Sequence, residues 1–361
     1  ANLLQDEVWL IGENQGECLE DNGYAFYLYC RKWHPEKPVY FLLKKNSRFR
    51  SGRLLDEKHV ISYGSWQHMR LFSQAGVFFY THTYRDIMYR RFFELFGQGR
   101  VMIHLHHGTF GFKKFDTFLH DKRNIMDLYT VGSNMERDIL CSKADVDEHR
   151  VRVTGYARTD RLLQDANKLE RQILYMPTHR RHLEGREKTV FLEKLRSLMQ
   201  NPGLTNLLEQ HDCTLKVFLH AHTQKTLSFD HTGHPRIQIA KLGADTVRDL
   251  LCSSILMITD YSSVCWDFLT LGKPVIFYRF DIDNYTSQRG SYIDLRDESY
   301  GEIAHDEGRL LELLSKYLDE GCVLRARVVD SLGAVVSHDG RSNCDRIYAL
   351  SEELASARSS P

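Results

Sequence analysis

The sequence predicts an α/β protein made of two similar halves, each carrying a mostly parallel sheet. Short apolar runs alternate with amphipathic stretches of crossover length, which is the pattern of strands joined through helices. The strand rhythm restarts near Ile173. The 361 residues also suit two domains, at roughly 100–200 residues each.

In the first half, Val8-Trp9-Leu10-Ile11 reads as a strand ended by Gly12, and Pro38-Val39-Tyr40-Phe41-Leu42-Leu43 as a second. Ala75-Gly76-Val77-Phe78-Phe79-Tyr80 and Val101-Met102-Ile103-His104-Leu105 follow, then Leu128-Tyr129-Thr130-Val131 and Val151-Arg152-Val153-Thr154. Helical spacing is expected over residues 65–74 and 135–141. In the second half, strands are expected at Ile173-Leu174-Tyr175-Met176, at residues 215–219, 237–239 and 255–259, and at Val275-Ile276-Phe277-Tyr278. Helices are expected at 190–200, 264–271, 307–319 and 344–355. The boundary falls in residues 160–172, giving domains 1–165 and 166–361, with the last helices also able to pack back on the first domain. Ligands of open α/β sheets bind beyond the carboxyl ends of the strands. Two such halves place the natural site in the cleft between them, so the polar residues that follow strands are the candidates.

Composition removes several classes. Lys+Arg and Asp+Glu both number 48, so no chain-wide basic field for nucleic acid exists. No run of about 18 apolar residues occurs, which excludes a spanning helix from the sequence as given. Residues 1–7 have neither a basic region nor a long apolar stretch, so no signal peptide is expected. The eight Cys form no CxxC pair and read as buried thiols of a reducing cytoplasm. The 18 His raise the question of metal. No HExxH, Walker loop or GxGxxG is present, and no carboxylate adjoins His104-Leu105-His106 or His220-Ala221-His222.

The chemistry clusters at strand ends. His106-His107-Gly108-Thr109 puts imidazoles, a flexible turn and a hydroxyl after the fourth strand, followed by Gly111, Lys113 and Lys114. An imidazole there can take a proton from a hydroxyl nucleophile. His220-Ala221-His222-Thr223 follows a strand of the second half. Thr259-Asp260-Tyr261-Ser262-Ser263 leads from a strand into a helix carrying Asp267, where hydroxyls and helix N–H groups suit phosphate; simple N-capping by a serine is the competing reading. Arg158, Thr178-His179-Arg180, Arg279 and Arg289 offer guanidinium groups, which fit phosphate oxygens.

The order of these pieces resembles the CDP-glycerol glycerophosphotransferase family of teichoic-acid and capsule-polymer polyol-phosphate transferases. The resemblance runs from Trp9-Leu10-Ile11-Gly12-Glu13 and Asp21-Asn22-Gly23 to Arg289-Gly290. It passes through His107-Gly108-Thr109, Gly155-Tyr156-Ala157-Arg158-Thr159-Asp160, Met176-Pro177-Thr178-His179-Arg180, Asp260-Tyr261-Ser262-Ser263 and Lys273-Pro274 to Asp281 and Tyr285. The chain departs from the family at His222-Thr223, where His-Pro is usual, and at Ala157, where Pro is common. These departures leave open whether His220 or His222 is the second catalytic histidine.

The resemblance implies two Rossmann-like domains in a GT-B glycosyltransferase arrangement with the active site in the interdomain cleft. It implies transfer of a glycerol-phosphate or ribitol-phosphate unit from CDP-glycerol or CDP-ribitol to a hydroxyl of a growing polymer or lipid-linked saccharide, with CMP released. His107 is the implied base, and His222 stabilises phosphate or leaving group. Thr178, Arg180, His220, Asp260, Ser262, Ser263, Asp267 and Arg289 are expected to bind donor. His106, Thr109, Lys113, Lys114 and Arg158 are expected to bind acceptor. No metal or other cofactor is expected to be obligatory. The protein is expected in the bacterial cytoplasm, peripheral on the inner face of the plasma membrane, alone or as part of a larger polymerase. Residues 85–96, in a stretch (85–123) with eight Lys/Arg against four Asp/Glu, are expected to form an interfacial amphipathic helix. The alternatives are a nucleotide-sugar transferase on the same fold, a His-based metal hydrolase, and a non-catalytic nucleotide-binding module.

Overall fold

The computed structural model describes residues 5–47, 49, 58–114, 126–166, 169–178, 180, 185–219, 234–240, 245–332 and 342–359. The chain divides into two compact units. The first comprises residues 1–109, 115–161 and 334–361, the second residues 110–114 and 162–333.

The first unit holds strands β1 (Gln5–Gly12), β2 (Val39–Leu43), β3 (Val60–Ser62), β4 (Ala75–Tyr80), β5 (Val101–His104), β6 (Leu128–Val131) and β7 (Val151–Val153). Their order is β3-β2-β1-β4-β5-β6-β7, and every pairing is parallel. Trp9 is in register with Val39 on one side and Val77 on the other, so β1 is central and buried on both faces, as a near-continuous apolar strand must be. The strand order reverses between β1 and β4, where ligand sites of such sheets lie.

The helices are α1 (Asn22–Trp33), α2 (Trp66–Gln74), α3 (Arg90–Phe96), α4 (Asn134–Lys143) and α5 (Ala157–Gln164). Ser65 caps α2 at the His68 N–H, and Ser133 caps α4 at the Glu136 N–H, each worth about 1 kcal/mol. The core gathers Trp9, Ile11, Phe26, Phe41 and Phe79. The expected continuous helix over 85–96 is not formed. A 3-10 turn at Tyr84–Asp86 precedes the seven-residue α3, because the Asp86 carboxylate folds back on the Thr81 and His82 N–H groups.

The second unit repeats the plan with β8 (Gln172–Tyr175), β9 (Thr214–Val217), β10 (Ile237–Ile239), β11 (Ser254–Thr259), β12 (Val275–Tyr278) and β13 (Glu302–Ala304) in the order β10-β9-β8-β11-β12-β13, again all parallel. Its reversal lies between β8 and β11. Helices α6 (Gly185–Met199), α7 (Pro202–Gln210), α8 (Val247–Ser253), α9 (Val264–Thr270), α10 (Ile282–Arg289), α11 (Glu307–Asp319) and α12 (Ala326–Leu332) cover it. Leu195, Leu198, Leu204, Leu310, Leu314 and Tyr317 form the core against the sheet.

The last helix, α13 (Asn343–Ser359), belongs to the first unit. Asp160 fixes its start by accepting the N–H groups of Asn343 and Cys344 at 3.0 and 2.8 Å, a carboxylate at a helix N-terminus. Its Ile347 joins the core, and Tyr348 packs on Trp9 with ring centroids 5.1 Å apart.

Candidate active site

In the first unit the site is built at the carboxyl ends of β1, β4 and β5. The chain leaves β5 through His106, whose φ of +54° is left-handed, a conformation that disfavours side chains with a Cβ. The buried Asn22, first residue of α1, holds this turn. Its Nδ2 donates to the carbonyls of Leu105 (3.1 Å) and His106 (2.8 Å), while its Oδ1 accepts the Arg158 N–H at 3.0 Å. His107 is thereby turned outward and is exposed. Its Nδ1 lies 3.3 Å from the Thr81 carbonyl. A carbonyl only accepts, so Nδ1 carries the proton and Nε2 is the basic nitrogen. Crowding by protein and the neighbouring His82 both lower the His107 pKa from its ordinary value, with Arg158 acting the same way more weakly and Asp21 opposing. His104 is pushed down to about 3 by burial, and His106 well below the usual imidazole range for the same reason. Of these three histidines His107 alone is open to solvent, and a base must be reachable to take a proton.

Around it, Arg158 pairs with Asp21 at 2.6 Å and lies over Tyr156. Thr109 is buried beside the Tyr156 hydroxyl, which donates to Glu136. Glu13, the first residue past β1, is fully buried and accepts from the N–H groups of Glu20, Asp21 and Tyr24. Burial, then the nearby Asp21, raise its pKa to about 7. Gly12 admits the Tyr84–Asp86 turn beside it, since a Cβ there would stand 2.1 Å from the Asp86 carbonyl oxygen.

In the second unit the ends of β8, β11 and β12 are tied together. Asp260 Oδ1 accepts the Thr178 N–H (2.9 Å), the Thr178 hydroxyl (2.6 Å) and the Tyr261 N–H (2.5 Å), while Oδ2 meets Arg180 at 2.8 Å. Arg180 also forks onto Asp281 at 3.1 and 3.2 Å, and the Tyr261 hydroxyl donates to the same carboxylate. The guanidinium sits over the Tyr261, Phe191 and Tyr285 rings, and Tyr261 and Tyr285 stack at 3.6 Å. Burial opposes the Arg180 charge, but Asp260 and Asp281 outweigh it and raise its pKa. Arg180 was expected to face phosphate. Instead it is enclosed, its charge already matched by two carboxylates from the neighbouring strand ends.

Ser262 and Ser263 are half-buried at the start of α9, and Ser263 makes no side-chain capping bond, so the capping explanation does not account for its hydroxyl. Asp267 is buried on that helix, and Arg289 is exposed at the end of α10. Lys113 and Lys114, expected to act with His107, pack with the second unit instead. Phe112 stacks on Trp266 at 5.2 Å, and the Gly111 carbonyl accepts from the Tyr292 N–H and the Ser291 hydroxyl. Both lysines are exposed there, Lys114 lying against Gly290, whose φ is +66°. His220 and His222 lie outside the described residues. Sequence reasoning passed over Glu13, Thr81, His82 and Asp86, although Glu13 and Thr81-His82 directly follow strands, the rule that selected the others.

The residues 2–350 match the family model CDP-Glycerol:Poly(glycerophosphate) glycerophosphotransferase. Among curated proteins, the minor teichoic acid biosynthesis protein GgaB of Bacillus subtilis is 22% identical over 96% of this chain and 40% of its own length. The teichoic acid glycerol-phosphate transferase of Staphylococcus aureus is 28% identical over 53% of this chain and 51% of its own. The chain thus spans about half the length or less of these relatives. Among solved structures, the wall teichoic acid polymerase TagF matches with a TM-score of 0.78 at 18% identity, over 100% of this chain and 92% of that one. A UDP-N-acetylglucosamine 2-epimerase of Methanocaldococcus jannaschii matches with a TM-score of 0.55 at 13% identity, over 96% of this chain and 99% of that one. At these identities the structures establish the GT-B-like fold, which serves more than one chemistry. The chain belongs to the CDP-glycerol:poly(glycerophosphate) glycerophosphotransferase family.

Proposed function

We propose that this family member transfers a glycerol-phosphate or ribitol-phosphate unit from a CDP-polyol to a hydroxyl of a cell-surface polymer or lipid-linked saccharide. The observation that carries the reading is His107: exposed, its pKa lowered by crowding and by His82, and fixed by the Thr81 carbonyl in the tautomer that leaves Nε2 to accept. Nε2 takes the acceptor hydroxyl proton as the oxygen attacks the distal phosphorus. The new O–P bond forms while the bond to the bridging oxygen breaks, and that oxygen departs with CMP. Such transfer depends on positioning and charge stabilisation. Thr109 and His106 shape the turn on the acceptor side, and Arg158, paired with Asp21, borders it.

In the second unit the enclosed Arg180, Asp260 and Thr178 set the frame that presents Ser262 and Ser263 to the donor phosphates. Asp267 supports that helix, and Arg289, Lys113 and Lys114 supply exposed positive charge. His222, with His220 as the other candidate, is assigned to phosphate or leaving-group stabilisation from the sequence resemblance. For peripheral membrane contact, the support is α3 and its approach, where Tyr89, Phe92, Leu95 and Phe96 are exposed beside Arg90 and Arg91. Binding to anionic vesicles tests this, and equal sedimentation with neutral vesicles would remove it.

The deciding experiment offers the protein CDP-glycerol, CDP-ribitol, and UDP- and GDP-sugars with an acceptor saccharide. CMP release with mass increments of polyol phosphate is expected. Sugar increments, or no CMP from either CDP-polyol, would overturn the proposal.

A further inference from the structure

His82, directly after β4, is not used by the mechanism above, yet it touches the residue on which that mechanism turns. Its ring lies face to face with His107, centroids 4.2 Å apart and planes 9° apart. Its Nδ1 is 2.8 Å from the Thr81 hydroxyl and 3.8 Å from the Asp86 carboxylate. Asp86 is itself buried, held by the N–H groups of Gln15, Thr81 and His82. The Thr81 carbonyl that fixes the His107 tautomer belongs to the same turn. We propose that His82 is a positioning residue for the transfer: stacked on His107, it fixes the plane of that ring and holds it in the neutral, proton-accepting form. This rests on His107 being the base.

The electrostatics support the assignment. Two like charges this close repel where water is partly excluded, so the stacked His82 ring opposes a proton on His107. The Asp86 carboxylate lies on the His82 side of the pair, 3.8 Å from the His82 Nδ1. The other groups facing His107 do not reverse that opposition. Asp21 is paired with Arg158 at 2.6 Å, and His104 and His106 are kept neutral by burial. His82 is the largest single charge effect lowering the His107 pKa.

The test uses the full chain with His82→Phe, which keeps a flat ring without the charge, and His82→Ala, which removes both. Proton NMR follows the His107 ring through pH, assigned with His107→Gln, and CMP release from CDP-glycerol is followed over the same range. In His82→Phe the His107 midpoint is expected to rise by about one pH unit. The acid limb of kcat should move with it, and KM for donor should stay. In His82→Ala the plateau kcat should fall as well. An unmoved midpoint in folded His82→Phe, checked by its thermal melt, overturns the proposal. A midpoint that moves while the rate profile stays fixed leaves the coupling intact. It overturns the base role of His107 and, with it, the catalytic use of the pair.

Discussion

The carboxyl edges of the two sheets handle charge in opposite ways. In the first unit the strand ends present imidazoles oriented by backbone carbonyls, with His107 left open to solvent and its basic nitrogen uncommitted among the described residues. In the second, the ends of β8, β11 and β12 are locked by Arg180, Asp260 and Asp281 into a buried lattice that satisfies its own charges. The difference teaches that a strand-end arginine is not automatically a ligand for phosphate. A guanidinium shared between two carboxylates organises the turn. Exposed cations such as Arg289 and Lys114 stand outside that lattice, and the proposed donor site draws on them.

The largest test of this contrast is Asp260→Ala. Removing one partner of a buried ion pair leaves an uncompensated charge, and about 3–5 kcal/mol of stability should be lost in denaturant titrations. A loss below about 1 kcal/mol would mean the lattice does not hold the second unit's strand ends. Next is His107→Ala. Turnover should fall about a hundredfold or more, while calorimetric binding of CDP-glycerol persists. An unchanged rate would remove the reactive character claimed for the first edge.

Glu13 gives a pH signature to the first unit. Its folded pKa, about 7, lies above its ordinary 4.5. Its contribution is thus fully present below pH 4.5 and is lost as pH rises through 7, on the order of 3 kcal/mol in all. Melting curves of Glu13→Gln should lack this decline, and parallel pH slopes for variant and parent would contradict it. The smallest effect is Ser263→Ala. With no capping bond to lose, stability should change by less than about 0.5 kcal/mol. Donor KM should rise by about tenfold, the loss of one hydrogen bond to a charged group. A stability loss with unchanged KM would return this serine to capping.

Much of the fold was legible because burial on both faces makes a parallel strand a continuous apolar run. Val275–Tyr278 and Glu307–Asp319 fall where the residue pattern puts them. The candidate positions were legible as polar groups placed within three residues of a strand end, as the structure places His107, Asp260 and Ser262. By itself the sequence determined the two parallel α/β halves and which polar residues stand at the strand ends, since both follow from local periodicity. The partner of each charge was decided only by tertiary structure. Asp260 and Asp281 lie 80 and 101 residues beyond Arg180 in the chain. Asn22 reaches the His106 turn over 84 residues, and the stack of His82 on His107 joins two neighbouring strands. The helix α13 returns to the first unit because Asp160 caps it. Phe112 carries Lys113 and Lys114 into the second unit because its ring finds Trp266 there. Each of these rests on a contact between distant residues, and no local spacing encodes which side chains a folded sheet brings within reach.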